Sequence, residues 1–179
     1  MRKLSAKEAS FFKGGSAGAP GGRGGPATIV HVDDDINDSE LLRAAILKAN
    51  LPCALQQVQD GEQAVAYLNG TGGYQDRERY PLPSLVLLDL KMPCLSGFEV
   101  LKWIRGHRTL NRLPVIMLSG SALQEDIHRA YEAGATSYLV KPLGFQALVK
   151  LMKSLKTTML MPVPGVQKGR VNPFPARAL

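Results

Sequence analysis

Five short apolar runs alternate with five helical periods, and that alternation leaves few folds open to this chain. TIVHV (28–32), CALQQV (53–58), SLVLLD (84–89), PVIMLS (114–119) and SYLV (137–140) are rich in Val, Ile and Leu and read as strands. SELLRAAILKA (39–49) spaces Leu42, Ala45, Ile46 and Ala49 by three and four residues, and EQAVAYLN, GFEVLKWIR, LQEDIHRAYEA and FQALVKLMKSL follow in turn. Strand–helix alternation of this kind predicts a parallel sheet covered on both faces. The longest gap, GTGGYQDRERYPLP (70–83), is polar and rich in Gly and Pro, so it reads as a surface excursion before the third strand. No internal repeat is visible.

The ends do not share this pattern. Residues 1–27 set Glu8 against Arg2, Lys3, Lys7, Lys13 and Arg23, and the run GGSAGAPGGRGGP has almost nothing to bury. Residues 161–179 add Lys168, Arg170 and Arg177, with Pro162, Pro164, Pro173 and Pro175 blocking regular structure. The formal +7 charge lies wholly in these two tails, and residues 28–160 balance 14 acids with 14 bases. Three regions are therefore expected: a basic Gly-rich disordered tail (1–27), one folded domain (28–160) and a basic Pro-containing tail (161–179). Neither tail interleaves aromatics or shows an amphipathic helical period, so no specific nucleic-acid or membrane partner is expected. The N-terminus lacks an apolar signal region and no run approaches the ~20 residues of a membrane helix, so a cytoplasmic location is expected. Cys53 and Cys94 lack metal-ligand spacing and read as reduced thiols.

In open parallel sheets, ligands bind beyond the carboxyl ends of the strands. Here the first strand ends at Asp33-Asp34-Asp35, the third at Asp89 and the fourth at Ser119, and the fifth runs through Tyr138 to Lys141-Pro142. Taken singly, each residue has a plainer reading: helix cap, turn residue or solvated charge. Their placement at four separate strand ends is what favours a site. Carboxylates at that rim can hold Mg²⁺, which prefers oxygen ligands, while an ammonium and a hydroxyl stabilise a transferring phosphoryl group. A neighbouring carboxylate can act as nucleophile and become an acyl phosphate. No glycine-rich phosphate cradle is present, so direct nucleotide binding is not expected.

VDDD (32–35), LLDLKMPCLSGFEVL (87–101), PVIMLSGSA (114–122) and GATSYLVKP (134–142) closely resemble the receiver domain of two-component response regulators, in order and with the family's spacing, over about residues 28–157. The resemblance implies a flavodoxin-like doubly wound α/β fold, with a five-stranded parallel sheet of order 2-1-3-4-5 and five helices. It also implies a signalling protein, not an enzyme, phosphorylated on aspartate by a partner sensor histidine kinase. By position, Asp89 matches the phosphoacceptor. Asp33 and Asp34 match the acid pair around Mg²⁺, and the backbone carbonyl of Lys91 a third metal ligand. Ser119 and Lys141 match the residues that stabilise phosphate, Ser119 and Tyr138 the switch pair, and Pro142 a proline that follows a cis peptide. Gly97 matches the family's turn glycine, while Ser96 stands where Asp is usual. Asp35 is left as a helix-start charge. The excursion at 70–83 is similar to the longer loop of stand-alone receivers that partner bacterial phytochromes and related sensor kinases. No output domain is expected after residue 160, and output is expected through a downstream protein, a phosphotransfer partner or a homodimer.

Two other classes share part of this residue set. A haloacid-dehalogenase-like phosphatase needs a second acid two residues after its nucleophile, and that position is Lys91. A degenerate receiver serving only as a binding module usually loses the acceptor or the acid pair, and both are present here. His31, His107 and His128 lack partner spacing and read as ordinary strand and helix residues.

Overall fold

The computed structural model describes residues 27–155, so the two tails, apart from Ala27, and the last residues of the expected domain lie outside the described residues. Five strands and five helices alternate: β1 (Ala27–Val32), α1 (Ile36–Lys48), β2 (Cys53–Val58), α2 (Gly61–Asn69), β3 (Leu85–Leu88), α3 (Gly97–Gly106), β4 (Val115–Ser119), α4 (Gln124–Glu132), β5 (Ser137–Val140) and α5 (Phe145–Leu155). All strand pairs are parallel and the sheet order is β2-β1-β3-β4-β5, the doubly wound flavodoxin-like topology expected from the sequence.

The side-chain alternation of a strand divides the core in two. From β3, Val86 and Leu88 enter a layer with Tyr67 and Leu68 of α2, Leu101 and Ile104 of α3 and Ala130 of α4. Leu85 and Leu87 point the other way, to Leu42 and Ile46 of α1 and Val149 and Met152 of α5. Burial on both faces explains why the strands read as apolar runs instead of alternating with polar residues. Among the described residues, no helix is long and apolar enough to cross a membrane. Cys53 is buried and its thiol is pushed up to about 11 by that burial, while Cys94 is exposed; both are free.

Two local features go beyond the sequence reading and have clear causes. Helix α1 starts at Ile36, three residues before the apolar period begins, because Asp35 caps it: Oδ1 accepts from Asn37 N at 2.7 Å and Asp38 N at 3.4 Å. The 70–83 segment is the expected surface excursion, mostly exposed, yet it is tied down by specific contacts. It contains a 3₁₀ turn at Gly72–Tyr74, and Tyr74 and Tyr80 lie against Tyr67 with ring centroids 5.3 and 6.0 Å away. Arg77 donates to the carbonyls of Tyr67, Leu68 and Tyr80, the first two in the last turn of α2, where Tyr67 O also accepts from Gly70 N.

Candidate functional site: an acidic pocket at the carboxyl rim

The ladder hydrogen bonds continue one residue beyond the strands and carry the chemistry with them. Asp33 N donates to Val58 O at 3.1 Å, Asp89 N to Val32 O at 2.9 Å and Lys141 N to Ser119 O at 2.7 Å. Each functional backbone is thus tied to the neighbouring strand, and the side chains share one rim. Carboxylate oxygens of Asp33, Asp34 and Asp89 lie within 4.8 Å of one another; Asp33 and Asp89 are buried and Asp34 is exposed. Asp89 Oδ2 accepts from Lys91 N at 3.0 Å, which turns the chain after β3 back over the site. Gly97 is required for that turn, since a Cβ there would collide with the carbonyl oxygen of Asp89.

Lys141 is the counterion of the cluster. Its Nζ is 2.8 Å from Asp33 Oδ2, 2.7 Å from Asp38 Oδ2 and 3.6 Å from Asp89 Oδ1. Burial alone would lower the Lys141 pKa, but the contacts with Asp33 and Asp38 raise it well above the ordinary lysine value. The two buried carboxylates diverge. Burial works to raise Asp33, but His31 and Lys141 beside it hold it below the usual range. Asp89 lies above the usual range, because burial and the charge of Asp33 outweigh the pull of Lys141 and the N–H groups of Lys91 and Leu90.

Ser119 ends β4 and is buried; its Oγ is 3.4 Å from Ser121 N. Tyr138, on β5, is turned inward at 7% exposure, and its hydroxyl donates to Ser121 O at 2.9 Å. Asp35 takes no part in the carboxylate cluster and serves as the helix cap, as expected. One expectation is corrected: the Lys141–Pro142 peptide is trans, as are all peptide bonds among the described residues. An X–Pro bond favours trans by about 0.5–1 kcal/mol, and the trans form here already delivers the Lys141 ammonium to Asp33 and Asp89.

Two residues of the site escaped the sequence reading. Asp38 carries no signal in the sequence pattern, yet its place in the first turn of α1 brings it to Lys141 at the rim. His31 was read as an ordinary strand residue, yet strand alternation puts it on the same side as Asp33, and its Nε2 is 3.3 Å from Asp33 Oδ2.

The donor set suits a hard divalent cation. It consists of carboxylate oxygens, includes one solvent-reachable member and lacks sulfur, as Mg²⁺ or Mn²⁺ requires and Zn²⁺ does not favour.

Comparison with known proteins agrees with this geometry. Residues 29–153 match the family model of the response regulator receiver domain. Response regulator Rcp1 of Synechocystis sp. is 33% identical over 135 residues, covering 75% of this chain and 90% of Rcp1. The crystal structure of the phosphorylated cyanobacterial phytochrome response regulator RcpA superposes with a TM-score of 0.70 at 32% identity, covering 78% of this chain and 99% of that one. The Mn²⁺-bound form of Rcp1 superposes with a TM-score of 0.69 at 32% identity, covering 77% and 97%. An acid cluster, a lysine and a hydroxyl at the ends of strands β1, β3, β4 and β5 are thus found in a chain that belongs to the response regulator receiver domain family.

Proposed function

We propose that this protein accepts a phosphoryl group on Asp89 from a phosphohistidine of a partner sensor kinase. The observation that supports this most is the grouping of three carboxylates within 4.8 Å beside an ammonium that reaches both buried members. In the transfer, a carboxylate oxygen of Asp89 forms the new O–P bond while the N–P bond of the phosphohistidine breaks, its electron pair returning to the imidazole. Asp33, Asp34, Asp89 and the backbone carbonyl of Lys91 would hold Mg²⁺, which when bound offsets negative charge on the phosphoryl oxygens. Lys141 supplies fixed positive charge, already paired with Asp33 and close to Asp89. The Ser119 hydroxyl donates to a phosphoryl oxygen once it is in place, and Tyr138, bonded to the loop that follows Ser119, carries that change to the surface of α4, β5 and α5.

The kinase class we infer is phytochrome-like, on the strength of the similarity to Rcp1 and to the phytochrome response regulator RcpA. Phosphotransfer from each purified histidine kinase of the host, with Asp89→Asn as control, tests both parts. Rapid labelling of the unmodified chain alone by a phytochrome-like kinase is expected. Equal labelling of Asp89→Asn would overturn the assignment of the acceptor, and preferential labelling by another kinase class would overturn the assignment of the partner.

A further inference from the structure

His31 is a costly choice for its position. It lies in the middle of the sheet, 1% exposed, with Gln57 and Leu87 as its neighbours in register, and on the face of β1 that Ile29 gives to the apolar layer under α1 and α5. An aliphatic side chain would fill that space without burying an imidazole. Its two nitrogens instead connect two elements of the site. Nδ1 is 3.3 Å from Ser39 Oγ in the first turns of α1, and Nε2 is 3.3 Å from Asp33 Oδ2. Nε2 and Asp33 Oδ2 are both sealed from solvent, and neither makes an aligned hydrogen bond in this arrangement. A carboxylate can only accept, so Nε2 carries the hydrogen that faces it, and Ser39 Oγ can donate to Nδ1. Ser39 is itself anchored: its carbonyl accepts from Gln57 Nε2 at 2.6 Å, and Gln57 Oε1 accepts from Arg43.

We propose that His31 is a positioning residue that orients Asp33 for divalent-cation binding, with Ser39 holding the imidazole from α1. The proposal rests on the cation reading of the Asp33, Asp34 and Asp89 cluster. Asp33 Oδ1 is already taken by Asp35 N at 3.1 Å, and Lys141 approaches Oδ2 from the rim. His31 lies beside Oδ2 from within β1, so the Asp33 carboxylate has a neighbour at Oδ1 and two at Oδ2, and a ring turn of His31 would bring its N–H into line with Oδ2. Partners of metal-binding side chains act in this way on affinity, by fixing the ligand before the ion arrives.

Calorimetric titration of the full chain with Mg²⁺, for the unmodified protein and for His31→Leu, His31→Gln and Ser39→Ala, tests this. The Mg²⁺ dependence of labelling by acetyl phosphate supplies the second readout. His31→Leu should weaken Mg²⁺ binding by about 10–100-fold. It should raise the half-saturating Mg²⁺ concentration for labelling in step and leave the rate at saturating Mg²⁺ close to that of the unmodified chain. His31→Gln, whose amide N–H can still donate to Asp33, should recover much of the affinity, and Ser39→Ala should show an intermediate loss. A His31→Leu protein that melts earlier yet binds Mg²⁺ as tightly as the unmodified chain would overturn the proposal and leave His31 a packing residue. Should the Leu variant not fold, unchanged affinity in Ser39→Ala would overturn it equally. An unmodified chain without measurable Mg²⁺ affinity would overturn the cation reading itself, and the proposal with it.

Discussion

At the scale of single residues, three adjacent aspartates do three different jobs. Asp33 is buried and held ionised by Lys141 and His31, Asp34 faces solvent within the carboxylate cluster, and Asp35 turns to cap α1. The division follows from the end of a strand: alternation sends neighbouring side chains to opposite sides, and the first helical turn claims the third. Asp34→Ala should therefore weaken Mg²⁺ binding in calorimetry while leaving thermal stability near that of the unmodified chain. Asp35→Ala should do the reverse, costing about 0.5–2 kcal/mol of stability with little change in Mg²⁺ affinity. Equal losses of affinity in the two variants would contradict the division. The clustering of Asp33 with Asp34 and the turn of Asp35 to the helix start were legible in the sequence because a strand end and a helix start lie only a few residues apart there. The contributions of His31 and Asp38 were not, since each depends on a through-space neighbour, Asp33 or Lys141, whose distance no local pattern expresses.

At the scale of elements, strand positions were legible nearly to the residue, most plainly for β3 and β4, which are buried on both faces and almost continuously apolar. Helix α1 was read three residues short, since Ile36 is 60% exposed and adds nothing to the buried stripe. The 70–83 segment was legible as a surface excursion, and most of it is exposed, but its internal contacts were not legible. Its polar composition conceals the three carbonyls that Arg77 gathers and the aromatic packing of Tyr67, Tyr74 and Tyr80. Gly70, with φ at +70°, ends α2 in the left-handed conformation, and a Cβ there would press on the Arg77 guanidinium. Arg77→Ala should lower stability by about 1.5–3 kcal/mol, the range of a single charged hydrogen bond, because water replaces part of what is lost. Hydrogen exchange should accelerate at the end of α2 and across 70–83 while the β1 and β3 amides keep their protection. Uniform acceleration throughout the domain would contradict a local role for Arg77.

At the scale of the whole molecule, the sheet gathers residues from β1, β3, β4 and β5, up to 108 positions apart in sequence, onto one rim, and the same strands lead away from it to the α4–β5–α5 surface. Tyr138 and Ser121 join these two regions: the Tyr138 hydroxyl holds the Ser121 carbonyl, and Ser121 Oγ donates to Asp126 of α4 at 2.5 Å. A ligand at the rim alters partner affinity only by its difference in interaction free energy between two states, and a coupling of about 1–3 kcal/mol, or 5–150-fold, is ordinary. Ser119→Ala should still accept phosphate but lose most of the change in partner affinity, or in self-association followed by sedimentation, that beryllofluoride induces in the unmodified chain. A full response in Ser119→Ala would transfer the switch to another part of the molecule. All of this depends on Asp89 being the acceptor, and the most direct measurement is peptide mapping by mass spectrometry after incubation with Mg²⁺ and acetyl phosphate. One base-labile, acid-stable phosphoryl group on the peptide containing Asp89, absent without Mg²⁺ and absent in Asp89→Asn, is the predicted result. A phosphoryl group of equal yield on any other residue, or on Asp89→Asn itself, would contradict it.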